Sequence, residues 1–159
     1  MRPLLQAALL VLIAAACGSP ADSNQNHHDH NAAARPAKDR ADSLYKAVIA
    51  LHDEAMPKMG KLMGYKKSLE QKIDSVTALM ERSKDESLQQ LRNQYKDLLA
   101  RVSAAEKGMN DWMSQFEPDP KLPSKAEIEN YFDDQRQKAQ KMRDDFMSAL
   151  DSAQSKLGF

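Results

Sequence analysis

The sequence predicts an all-α fold, an antiparallel three-helix bundle or coiled coil preceded by a signal peptide and a disordered tether. Three observations carry this. Apolar residues recur at alternating spacings of three and four over three long stretches, which places each set on one helical face. The stretches are separated by a polar lapse near residue 85 and by Glu117–Pro123, where Pro118, Pro120 and Pro123 exclude helix. No stretch alternates with period two, the mark of a half-buried strand.

The elements follow in chain order. Residues 1–16 read as a signal peptide: Arg2 precedes Leu4–Ala16, apolar except for Gln6, a run too short to span a bilayer. Residues 17–38, beginning at Cys17, read as a disordered tether of Ser, Asn, Asp, Ala, His and two prolines, a composition that buries too little surface to fold. Within it His27, His28 and His30 with Asp29 form a histidine-rich tract, either a weak divalent-metal binder or, more simply, polar linker.

Residues 39–159 form the helical domain, with helices expected at about 39–82, 85–116 and 124–157. Asp39 is the expected N-cap of the first, whose seam runs Tyr45, Val48, His52, Ala55, Met59, Leu62, Lys66, Leu69, Ile73, Val76, Met80. Lys66 can snorkel from such a position. Ser83 and Glu86 suggest a capping box before the second seam, Leu88, Leu91, Tyr95, Leu98, Val102, Ala105, Met109, Trp112, Phe116. Ser124 and Glu127 suggest another before the third, Ile128, Phe132, Gln135, Ala139, Met142, Phe146, Ala149, Ala153, Leu157, which closes at Gly158. The alternative architecture keeps 39–116 as one continuous helix that dimerises through its seam.

The sequence is densest in exceptions at His52–Gly64, with Pro57 mid-run, Gly60 and Gly64 four apart, and three methionines. His52, Met56, Met59 and Met63 are spaced 4, 3 and 4, which puts them on one helical face. Pro57 should break or bend the helix by freeing the carbonyl of Asp53. The glycines weaken the helix and would admit a close neighbour. If the chain turns near 85 and again near 120, one end of the bundle gathers His52, Met56, Met59, Met63, Met109, Trp112, Met113, Phe116, Tyr131 and Phe132. Three readings of that end stand. Methionine and aromatic side chains at heptad spacing are most simply core. A partly uncovered Met-rich surface with Pro57 suits docking of an envelope protein partner. Thioethers with one imidazole, here His52, Met56, Met59 and Met63, are a ligand set that selects Cu(I). Partner docking is favoured over copper, so no metal and no cofactor is expected.

Lysine and arginine number 23 against 23 aspartate and glutamate, interspersed along the helices, with no basic patch to suggest nucleic acid. Cys17 is the single cysteine, so the domain has no disulfide framework and no thiol nucleophile. No glycine-rich phosphate loop and no His-x-x-x-His zinc pattern is present. His52, Asp53 and Glu54 are adjacent, and neighbours on a helix point in different directions, so they are not expected to pair. An enzyme is not expected.

Ile13-Ala14-Ala15-Ala16-Cys17-Gly18 resembles the lipobox of bacterial lipoproteins. That resemblance implies a lipid on Cys17, attachment to a membrane through it, and a place in the cell envelope, at the outer membrane facing the periplasm. With that lipobox, Leu51–Gly60 (LHDEAMPKMG) and Asp111-Trp112-Met113 resemble small helical envelope lipoproteins labelled "viral A-type inclusion protein". That family implies a lipid-anchored helical envelope protein, a non-catalytic binding or structural module, and carries over no catalytic residue.

Overall fold

The computed structural model describes residues 38–83 and 85–158. The signal stretch, Cys17, the tether and its histidine tract lie outside the described residues. Four α-helices make up the described chain: α1 Arg40–Ala55, α2 Met59–Met80, α3 Glu86–Gln115 and α4 Lys125–Leu157, with a 3-10 turn Met56–Lys58 between the first two. The continuous helix through residue 116 is thereby excluded, because α2 ends at Met80 and α3 starts afresh at Glu86.

Local chemistry sets the helix ends. Asp39 caps α1, its Oδ1 accepting from the Asp42 N–H at 3.0 Å. Ser124 caps α4 as expected, its hydroxyl accepting from the Glu127 N–H at 3.3 Å, while the Glu127 carboxylate accepts from that hydroxyl at 2.6 Å rather than from the Ser124 N–H of a full capping box. Gly158 closes α4 in the left-handed region, φ 77°, where a Cβ would be strained. The second box is a correction. Ser83 does not cap α3; Asp85 does, accepting from the Ser87 N–H at 2.8 Å. A carboxylate directly before Glu86 outcompetes a hydroxyl two residues further out.

The two turns make an up-down-up bundle. Lys66 on α2 meets Glu106 on α3 at 2.6 Å, which fixes the first pair as antiparallel. Tyr131 accepts from the Glu117 N–H at 2.7 Å and Lys156 donates to Gln94, an antiparallel register for α3 and α4. Arg40 with Glu129 and Glu54 with Arg143 then align α1 parallel to α4, residue n beside about n + 89. The outcome is the single core expected. Val48, Leu62, Leu69, Val102, Met109, Ala139, Phe146 and Ala153 are wholly buried. Each large aliphatic among them contributes roughly 1.5–3 kcal/mol of transfer free energy.

The 3-10 turn solves a problem that the seam creates. Val48, Ala55, Leu62, Leu69 and Val76, all buried, are seven apart throughout. On a straight α-helix such a row drifts about 20° per heptad, so about 80° over four. Three residues at the 3-10 twist of about 120° rather than 100° return about 60° of it. The break at Pro57 therefore keeps one row of residues facing the core without a long supercoil. Before the turn α1 packs chiefly on α4; after it α2 packs chiefly on α3. Among the described residues no helix is long and apolar enough to cross a membrane.

Candidate functional site

The site is built where α1 gives way to α2. Met56 still donates its N–H to the His52 carbonyl, and Met59 donates to the Met56 carbonyl in the tighter 3-10 pattern. Pro57 has no N–H to give the Asp53 carbonyl, as the sequence leads one to expect. One residue on, the Glu54 carbonyl accepts from the Lys58 ammonium at 2.7 Å, a side chain standing in for a ladder bond. The bend is thus held by its own neighbours.

The aromatic residues assemble as expected, with one addition. Trp112 stacks on Phe116 with ring centroids 5.0 Å apart, Phe132 lies edge-on to Tyr131 at 5.3 Å, and His52 tilts over Trp112 at 5.8 Å. Tyr45 joins them, stacked on Phe116 at 6.2 Å and edge-on to Phe132 at 5.5 Å. Tyr45 is legible in the sequence as a seam residue but not as part of this end. Its parallel register with α4, two helices away in sequence, was the signal that would have found it. Such ring pairs add about 0.5–1.5 kcal/mol each beyond their buried area. The buried Trp112 Nε1 has no hydrogen-bond partner among the described residues.

The methionines divide. Met109 is fully buried and Trp112 nearly so, while Met59 and Met113 pack half-buried against the core. Met56, at 37% exposure, and Met63, at 52%, stand outside, with Pro57 exposed between them. The face expected for His52, Met56, Met59 and Met63 is thus divided by burial. Met56 and Met63 each follow a buried heptad residue, Ala55 and Leu62, by one position and so lie about 100° round from the core. His52 and Met59 follow by four, only about 40° round, and turn inward.

Two further expectations are corrected. Gly60 and Gly64 meet no close neighbour: a Cβ on either would find nothing within 4 Å. They lie on the outer side of α2, beyond the reach of α3 and α4. Second, His52 and Asp53 do pair, Nδ1 to Oδ1 at 2.9 Å. Nδ1 is the ring nitrogen nearer the backbone, so the short carboxylate of the next residue can reach it. The pair is local, on one helix, and only half-buried.

Neighbours hold several charges along the bundle. The hydrogen bond to Glu106 holds the Lys66 ammonium above its ordinary range. The Asp39 carboxyl is held below the usual carboxylate range by the Asp42 N–H and then by Lys125; that of Asp85 is held down by the Ser87 hydroxyl and N–H. Among the described residues no three His, Cys, Asp or Glu side chains gather as metal ligands. No family model, no curated protein and no solved structure matches the chain.

Proposed function

We propose that this chain is a lipid-anchored, non-catalytic module of the bacterial cell envelope, held by Cys17 at the outer membrane, facing the periplasm, and binding a protein partner through the outer side of the α1–α2 break. The observation that carries the reading is the exposure of Met56, Pro57 and Met63 together, beside an aromatic cluster that is itself committed to the core. A flexible thioether surface accepts a partner's apolar side chains with little demand on shape. The aromatic end expected to bind therefore supplies rigidity, and the surface beside it supplies contact.

The test has two arms. Replacing Cys17 with Ser in the full chain releases the protein from the membrane fraction if the lipid is the anchor; retention there overturns the anchor. A photo-crosslinking residue in place of Met63, in intact cells, gives a discrete adduct, whereas one in place of exposed Asn110 on α3 does not. Equal or absent adducts at the two positions overturn the binding surface.

A further inference from the structure

Two thioethers face each other across the α2–α3 pair. Lys66 and Glu106 touch there at 2.6 Å. One heptad back from Lys66 is Met59, and one heptad on from Glu106 is Met113. In an antiparallel pair such positions recur together, so Met59 and Met113 lie opposite one another. Both are half-buried against the core. A further heptad back, beyond the 3-10 turn, is His52, whose ring tilts over Trp112 at 5.8 Å. Trp112 directly precedes Met113. Thus α1, α2 and α3 each bring one soft donor to the surroundings of a single indole.

The imidazole is already oriented. A carboxylate only accepts, so Asp53 Oδ1, 2.9 Å from His52 Nδ1, takes the proton-bearing nitrogen and sets the lone pair on Nε2. A carboxylate behind the ring is how metal-ligating histidines are commonly held. The indole contributes too, since its face attracts a cation within about 6 Å of the ring centroid.

We propose that His52 Nε2 and the sulfurs of Met59 and Met113 form a Cu(I) site beside Trp112. Neutral sulfur and nitrogen donors suit a soft monovalent ion and offer little to Mg²⁺ or Ca²⁺, which take oxygen. The copper set suggested by spacing alone changes in membership. Met56 and Met63 stand in solvent, and Met113, from another helix, takes their place. Half-burial serves the chemistry, because thioethers are weak donors that lose to water unless most of it is excluded, while an ion still needs a way in. Partner and metal use different methionines, so the failure of either reading leaves the other standing.

The test uses the single tryptophan, whose emission a soft cation beside the indole quenches. The full chain, purified in detergent, is titrated with Cu(I) under ascorbate against a Cu(I) chelator of known affinity, and with Ag(I) as a redox-stable probe. Quenching should saturate at one ion per chain, and Zn²⁺ should leave the emission unchanged. Met59→Leu, Met113→Leu and His52→Phe should each raise the dissociation constant about tenfold or more, tenfold being about 1.4 kcal/mol. These replacements keep volume or a ring over Trp112, and circular dichroism checks that the helices remain. Met80→Leu, at the far end of α2, should bind as the parent does. Cys17 and the His27–His30 tract are common to every variant, so ions they take up cancel in the comparison. A parent that is not quenched, or any of the three ligand variants binding as tightly as the parent, overturns the site. Equal quenching by Zn²⁺ overturns its assignment to Cu(I).

Discussion

Gly64→Ala is the sharpest test of the structure, because two views of the glycines predict opposite signs. A glycine kept to let a neighbour within van der Waals contact tolerates no methyl group. Here the methyl of Gly64→Ala meets nothing within 4 Å, so no steric term opposes it. What remains is the backbone. Gly64 is the sixth residue of α2, well inside it, where replacing glycine by alanine stabilises a helix by about 1 kcal/mol. Gly60 is only the second residue, where fewer ladder bonds depend on it, so about half that gain is expected. The pair together should add about 1.5 kcal/mol. For a domain of this size, unfolding entropy is about 0.25 kcal/mol/K, so Tm should rise about 6 °C. The assay is urea unfolding followed at 222 nm. The midpoint should move up with an unchanged slope. A lowered midpoint for Gly64→Ala would refute the placement of this face in open solvent.

Three more predictions follow from named contacts. Pro57→Ala should destabilise the domain by about 0.5–1 kcal/mol: the core requires the turn whichever residue fills it, and the variant loses only proline's restraint on the unfolded chain; a clear rise in Tm would show that a continuous helix packs as well. Met109→Ala, at a fully buried site beneath the aromatic cluster, should cost about 3 kcal/mol in the same urea assay, and a cost below 1 kcal/mol would place that side chain outside the core. Acid should unfold the domain partly through its helix caps. Asp39, Asp42, Asp85 and Asp133 titrate below 3.8 in the folded chain, so their stabilisation is complete above that pH and is lost as pH falls through the depressed values. Asn at 39 and 85, which caps without titrating, should flatten stability against pH below 4, and an unchanged slope would remove these caps as the cause.

Periodicity was enough to determine the helices, because burial of a helical face imposes spacings of three and four and nothing else in this chain imitates them. Ser124, Asp39 and Gly158 were likewise legible, since a cap acts within a few residues of itself. The turn at Pro57 could be located from the missing N–H of one residue. What that turn accomplishes could not. Whether a break rotates the following helix toward the core or away depends on how far the row of Val48, Ala55, Leu62, Leu69 and Val76 has drifted, and that matters only when α3 and α4 lie against it. The methionine line shows the same limit. Spacing alone groups Met56 and Met63 with Met59 and His52, but a stripe 100° wide has two edges, and only the neighbouring helices decide which edge is covered. They cover His52 and Met59 and leave Met56 and Met63 to solvent. Gly60 and Gly64 could equally have met a neighbour or none, because a sequence records the missing Cβ and not what stands beyond it.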